Sequence, residues 1–282
     1  MPAYILTITC PDGPGIIHAI SGALLEVGAN VLEQEQFSDL ETGLFFARTR
    51  FETEADEIER VRAVISERTS PFGTDVGLRR ESEHRRALIM VSQYDHCMLD
   101  LLYRRDAGEL PLDVVAIVSN HDTCRPIAER HGIPVHLLPV TPETKAAQEA
   151  RMLELVAELR VDLVVLARYM QILSEECCRQ LSGRVINIHH SFLPGFKGAR
   201  PYHQAHARGV KLIGATAHFV TPDLDEGPII AQEVERVNHA FTPEGLAEIG
   251  RDVERMALSR AVRLFAQDRV FLDGHRTVVF GS

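Results

Sequence analysis

Two hydrophobic rhythms divide the chain. Over residues 1–80 the apolar positions come in short runs that predict strand, helix, strand, strand, helix, strand. Tyr4 to Thr9 is a β-rich run. Ile16, Ile20, Leu24 and Val27 recur at the spacing of a helical core face. Asp12-Gly13-Pro14-Gly15 offers that helix an N-cap and a first-turn proline, and Gly28 stops it. Val31 to Phe37 and Leu44 to Phe51 read as strands joined by a turn at Ser38 to Gly43. Ile58, Val61 and Ile65 mark a second helix with an acidic first turn, and Thr74 to Leu78 a last strand. This βαββαβ order predicts a ferredoxin-like sandwich. Charged residues 81–86 read as a linker, with Arg79 and Arg80 either its start or the solvated end of the fourth strand.

From residue 87 to 282 the rhythm changes. Continuous apolar runs at Ala87–Val91, Val114–Val118, Val135–Leu138, Leu163–Ala167 and Val185–Ile188 alternate with helical stretches such as Cys97–Arg105 and Glu143–Leu159. Strands buried on both faces and separated by helices predict a doubly wound, mostly parallel, Rossmann-like sheet, so the fold class is α/β. Ligands of such sheets bind at the carboxyl ends of the strands.

At one such end stands Asn187-Ile188-His189-His190-Ser191-Phe192-Leu193-Pro194. Asn187 and His189 are two apart and leave one face of the strand, while Ile188 points into packing. A polar pair ending an apolar strand is costly unless it is used or hydrogen-bonded. Downstream, Leu224-Asp225-Glu226-Gly227-Pro228 supplies a carboxylate from a turn-rich segment. An amide donates to an oxyanion, an imidazole protonates a leaving nitrogen or shares the oxyanion, and a carboxylate orients the imidazole or positions and activates a nucleophile. The set fits acyl transfer to an amine or to water without a Ser or Cys nucleophile. Most of the 13 histidines read as surface or structural, His18 and His206 among them, and His190 reads as a structural hydrogen-bonding residue.

Composition narrows the choices. The 282 residues suffice for one large or two ordinary domains. A net charge of −10 argues against nucleic acid as partner. Leu163 to Ala167 and similar runs are far short of the ~20 residues of a membrane span. Met1-Pro2-Ala3-Tyr4 lacks the basic start of a secretory signal. Five scattered cysteines form no zinc spacing and predict a reducing, cytoplasmic setting. Adjacent histidines on a strand diverge, so no metal site is expected. No dinucleotide glycine fingerprint and no P-loop follows the first strand of the second region, so no cofactor is expected.

The runs Asn187–Gly198, Gly214–Val220 and Leu224–Ile230 resemble the catalytic core of the formyltetrahydrofolate-using formyltransferase fold, over about residues 86–282. The resemblance implies that Asn187, His189 and Asp225 are catalytic. Leu166–Leu173 is similar to that fold's folate loop, implying a pterin near Tyr169, Met170 and Leu173, with Thr221 also on the substrate. Gln171 stands where the family's loop often carries a basic residue. Residues 1–80 resemble an ACT regulatory domain. The pairing of the two is similar to the formyltetrahydrofolate deformylases, which hydrolyse 10-formyltetrahydrofolate to formate and tetrahydrofolate; the alternative is formyl transfer to a small amine. Ser92 to Cys97 replaces the glycine-rich phosphate loop of ribonucleotide transferases, and Asp95-His96-Cys97 is expected to close the acceptor side to all but water. The ACT likeness further implies methionine or glycine as effector, near Asp12, Gly13, Gly15 and Asn30, and a homo-oligomer.

Overall fold

The structure is a computed structural model describing residues 1–54, 58–193 and 201–281. It divides into two compact units, Met1–His84 with Asp268–Ser282, and Arg85–Gln267.

The first unit contains β1 (Ala3–Pro11), α1 (Ile16–Glu26), β2 (Asn30–Asp39), β3 (Leu44–Glu52), α2 (Ile58–Thr69) and β4 (Asp75–Arg80). The strands form an antiparallel sheet in the order β2-β3-β1-β4, the arrangement expected of a βαββαβ sandwich. Tyr4, Leu6, Ile8, Phe45 and Phe51 pack against Ile16, Ile20, Leu24, Val61 and Ile65 of the helices. One expectation changes. Asp12 does not cap α1: the cap residue is Gly15 at φ +97°, with no side-chain hydrogen bond, and Pro14 precedes the helix. That left-handed backbone is cheap for glycine and strained for other residues, so the glycine sets the entry angle.

The second unit begins with β5 (Arg85–Val91), so Arg85 and Arg86 belong to a strand and the expected linker shortens to 81–84. There follow α3 (His96–Asp106), β6 (Leu112–Ser119), α4 (Arg125–Arg130), β7 (Val135–Leu137), α5 (Lys145–Glu158), β8 (Leu163–Leu166), α6 (Glu175–Gln180), β9 (Val185–His189), α7 (Pro201–Ala207), β10 (Leu212–Phe219), β11 (Ile229–Arg236) and α8 (Pro243–Ala266). The sheet runs β11-β10-β9-β8-β5-β6-β7. Strands β9, β8, β5, β6 and β7 are parallel, and β10 and β11 add an antiparallel edge. The chain starts at β5 in the middle, winds out to β7, then returns to β8 on the other side. The carboxyl ends of β5 and β8 therefore flank the switch point where such sheets bind ligands.

Residues beyond α8 depart from the expected 87–282 boundary. Strands β12 (Val270–Asp273) and β13 (Arg276–Val279) form a hairpin that belongs to the first unit. The reason is a second apolar face on the first sheet: Phe46 meets the ring of Phe271 at 5.8 Å, and Phe271 meets Phe280 at 5.3 Å. Arg269 clamps Glu33 and Glu35 at 2.7 and 2.6 Å, Arg276 reaches Asp39 at 2.9 Å, and Arg79 pairs with Asp268 at 2.5 Å.

Candidate active site

Strand β9 presents Asn187 and His189 on one face, with Ile188 buried on the other. Its antiparallel neighbour β10 sets His218 opposite Asn187 and Thr216 opposite His189. The His218 ring settles the orientation of the asparagine. Its Nδ1 lies 2.8 Å from the Phe219 carbonyl, which can only accept, so Nδ1 carries the proton. Its Nε2 then accepts from Asn187 Nδ2 at 3.2 Å. Burial pushes His218 below the ordinary histidine range, against the pull of the Phe219 carbonyl and Asp225, and keeps it neutral. Asn187 Nδ2 retains a second hydrogen for another acceptor.

Asp225 follows β10 on a loop and has a left-handed backbone, φ +58°. The loop is pressed against the strand end: a Cβ on Gly227 would stand 1.8 Å from the Phe219 carbonyl oxygen, and Phe219 N–H donates to Pro228 at 2.9 Å. Only glycine permits that approach. The clamp delivers Asp225 Oδ1 to 3.3 Å from His189 Nδ1 and 3.8 Å from His218 Nε2. The His189 hydrogen bond holds the Asp225 carboxyl below its usual range, outweighing burial, so it is ionised and accepts. His189 Nδ1 therefore carries the proton. His189 is 6% exposed, and its Nε2 is buried without a hydrogen-bond partner among the described residues. Thr216 and Gln232 hold the turn after β9: Thr216 Oγ1 donates to Ser191 O and accepts from Leu193 N–H, and Gln232 Nε2 donates to Leu193 O. Pro194 to Gly198, the end of the Asn187–Gly198 run, lie outside the described residues.

A second polar group lies beside the first. Glu254 on α8 is 1% exposed. Its Oε2 meets His96 Nε2 at 2.7 Å, its Oε1 accepts from the Tyr202 hydroxyl at 2.8 Å, and Arg168 Nε stands 3.5 Å away. Burial alone would raise the Glu254 carboxyl; His96, Arg168 and Tyr202 together bring it below its ordinary value. Gly250, one helical turn before Glu254, leaves room for the Tyr202 ring, whose hydroxyl would stand 2.0 Å from a Cβ there. His96, Cys97 and Glu254 place metal-ligating atoms within 4.8 Å of one another, but the Arg168 guanidinium already supplies Glu254 with a cation. His190 lies against both groups, its ring 5.2 Å from His189 and 6.4 Å from Tyr202. Burial, with Arg168 and His189 nearby, pushes its pKa down to about 4.

All these elements converge on one cavity of about 590 Å³. It gathers Asn187, His189 and Asp225 with Tyr169, Met170, Leu173 and Thr221, the whole expected catalytic and substrate set. Ser92, after β5, ties down the Leu166–Leu173 segment, accepting from Met170 N–H at 3.0 Å. The Tyr169 ring packs in the core and its hydroxyl, raised to about 12 by burial, has no hydrogen-bond partner among the described residues. Met170, Ile172 and Leu224 are more than half exposed and give the cavity an apolar rim. The effector set is not brought together within one chain. Asp12 donates its N–H to Gly43 at one end of the first sheet, whereas Asn30 pairs with Glu52 at the other. Eight residues of β3 separate them, roughly 26 Å at the rise of a strand. His190 lines the cavity, so the purely structural reading of it changes. His218, Arg168, Tyr202 and Glu254 carry no role in the sequence reading. His218 and Arg168 stand within the family-like runs, and the period of two along β10 is the signal that points to His218.

The formyl transferase family model matches residues 85–262. A formyltetrahydrofolate deformylase of Corynebacterium sp. (strain P-1) is 48% identical, over 98% of this chain and 97% of that protein. The chain belongs to the formyltetrahydrofolate deformylase family. A crystal structure of formyltetrahydrofolate deformylase from Burkholderia mallei ATCC 23344 is 49% identical and covers 100% of both chains, with a TM-score of 0.96. Glycinamide ribonucleotide transformylase 1 from Symbiobacterium toebii is 31% identical, covering 70% of this chain and 94% of its own, with a TM-score of 0.65. Among the described residues no helix is long and apolar enough to cross a membrane.

Proposed function

We propose that this chain hydrolyses 10-formyltetrahydrofolate to formate and tetrahydrofolate, with Asn187, His189 and Asp225 as the reacting site. Family membership along the whole chain supports the reaction. One observation supports the site: a buried imidazole whose Nδ1 is held by an ionised carboxylate and whose Nε2 has no hydrogen-bond partner among the described residues. The pterin lies against Tyr169, Met170 and Leu173, with Thr221 at the loop, and presents the formyl group to β9.

The second hydrogen of Asn187 Nδ2 donates to the formyl oxygen and to the oxyanion that develops there. With its proton on Nδ1, His189 offers a lone pair at Nε2. That lone pair takes a proton as the water oxygen bonds to the formyl carbon, and Asp225 stabilises the imidazolium. The C–N10 bond then breaks, and His189 Nε2 returns the proton to N10. Tetrahydrofolate leaves with that proton, and the second water proton is released as formate ionises. In this account the first task of Asp225 is to hold the imidazole; the 3.3 Å contact favours it over direct activation of the water.

The test is formate release from 10-formyltetrahydrofolate by purified protein with no amine present. Equal amounts of formate and tetrahydrofolate support hydrolysis. Transfer to a small amine is the second reading, favoured by the likeness to the Symbiobacterium transformylase; tetrahydrofolate and a formylated amine appearing without formate only after an amine is supplied, or an amine that outcompetes water, would replace the first reading with it.

The first unit is proposed as an ACT-like regulatory module of a cytoplasmic homo-oligomer. Its sheet order and its exposed Asp12-Gly13-Pro14-Gly15 turn support that reading, and five unpaired, buried cysteines suit a reducing compartment. Methionine or glycine would bind near Asp12, Gly13 and Gly15, with Asn30 contributed by a second copy. Activity that responds to neither amino acid would leave the unit a structural one.

A further inference from the structure

Four non-glycine residues among those described have left-handed backbones: Arg160, Arg168, Asp225 and Asp268. Arg160 and Asp268 each directly follow the residue capping a helix, α5 and α8, where that conformation is routine. Arg168 and Asp225 both line the cavity. Strain of this kind persists where neighbours enforce it and gathers at functional sites. The Arg168 backbone is held by Ser92, whose N–H donates to the Arg168 carbonyl at 3.4 Å.

The side chain so placed is under-used. Arg168 is the only Lys or Arg among the described residues lining the cavity. Its side chain is 11% exposed and its guanidinium lies 5.5 Å from the centre of the Tyr94 ring. Glu254 neutralises it at 3.5 Å, yet both oxygens of Glu254 already have closer partners in His96 and Tyr202. Arg168 Nε and Nη1 are buried with no hydrogen-bond partner among the described residues. Buried donors left without acceptors are costly, and a planar guanidinium matches a planar carboxylate.

Hydrolysis creates such a group inside this cavity. The formyl group enters neutral and leaves as the formate anion, so a cation here distinguishes product from substrate. We propose that Arg168 forms a small-carboxylate subsite that receives formate after the C–N10 bond breaks. The proposal rests on the hydrolytic reading.

The experiment follows tetrahydrofolate appearance with added sodium formate, against sodium chloride at equal ionic strength. The wild-type protein and the variants Arg168→Gly, which relieves the left-handed backbone, and Arg168→Lys, which keeps a charge, are compared. Formate is expected to inhibit the wild type beyond chloride. The formate concentration for half-inhibition should rise roughly tenfold or more in Arg168→Gly, with Arg168→Lys between, as loss of a charge-assisted hydrogen bond predicts. A wild type no more sensitive to formate than to chloride overturns the subsite, as does equal sensitivity in Arg168→Gly. A raised KM for the folate with formate inhibition unchanged also overturns it, and assigns Arg168 to the anionic folate tail. A wild type that yields no tetrahydrofolate before formate is added instead defeats the hydrolytic reading. On the wild type alone, a guanidinium 15Nε–H signal that shifts saturably with formate and not with chloride supports the subsite; one that stays in place contradicts it.

Discussion

Two carboxylates serve the residues of one cavity, and they are built differently. Asp225 stands on a strained loop, 12% exposed, held to His189 and within reach of His218. Glu254 stands mid-helix on α8, its side chain 2% exposed, hydrogen-bonded by His96 and Tyr202 and paired with Arg168. Both are kept ionised by their neighbours. The difference lies in what each leaves over. Asp225 orients an imidazole whose far nitrogen is free to meet a reacting atom, whereas the lone pairs of Glu254 are spent on the protein. A carboxylate in a site is therefore read by the group it frees as well as by its own burial; in the proposed mechanism Asp225 takes part in the reaction, while Glu254 holds Arg168 and Tyr202.

The comparison breaks first at Asp225. Asp225→Asn should lower kcat by roughly 10²–10⁴-fold, the scale of a lost acid–base partner, with the melting temperature little changed; formate release and thermal unfolding together check this. Next is the clamp beneath it. Gly227→Ala forces a methyl into the Phe219 carbonyl, so the loop must shift, and a displacement of about 1 Å costs roughly 10²-fold in rate. The same assay should show that loss together with a lowered melting temperature.

Glu254→Gln should act mainly on stability. It leaves the buried Arg168 without a counter-charge, at about 3–5 kcal/mol, and should reduce kcat less than tenfold. Its pH signature has a definite sign. The Glu254 carboxyl binds a proton more weakly folded than unfolded. Its contribution to stability is therefore complete above the unfolded carboxyl range, near about pH 4.3. It disappears as pH falls through the folded value. Denaturant unfolding between pH 6 and 3 should fall less steeply in the variant than in the wild type.

The two groups are also unequally legible. Asn187 and His189 are two residues apart on one strand, so the period of two alone puts them on one face. Asp225 comes within reach only through the family resemblance, because a turn-rich segment does not reveal what it packs against. The Glu254 group is illegible in sequence: His96 and Glu254 are 158 residues apart, and nothing local to either names the other. The same limit shapes the fold. The five parallel strands are rich in Val, Ile and Leu, interrupted by His136 in β7 and by Asn187 in β9, and the apolar pattern marks each within a few residues of its end. Strand β10 is built with Gly214, Ala215 and Ala217, residues of weak strand preference, so it stands out by its family-like motif and not by a strand pattern. The hairpin β12–β13 belongs to the first unit because Phe46 offers a second apolar face, and the unbroken apolar run Phe45-Phe46-Ala47 hides which face is covered.

In the proposed mechanism His189 Nε2 is the group that meets the reacting atoms. That role is tested most directly by His189→Ala, with turnover measured by formate release and folate binding by tetrahydrofolate titration. A loss of roughly 10³-fold or more in kcat is expected, with tetrahydrofolate binding nearly intact. Full turnover by the alanine variant would contradict it.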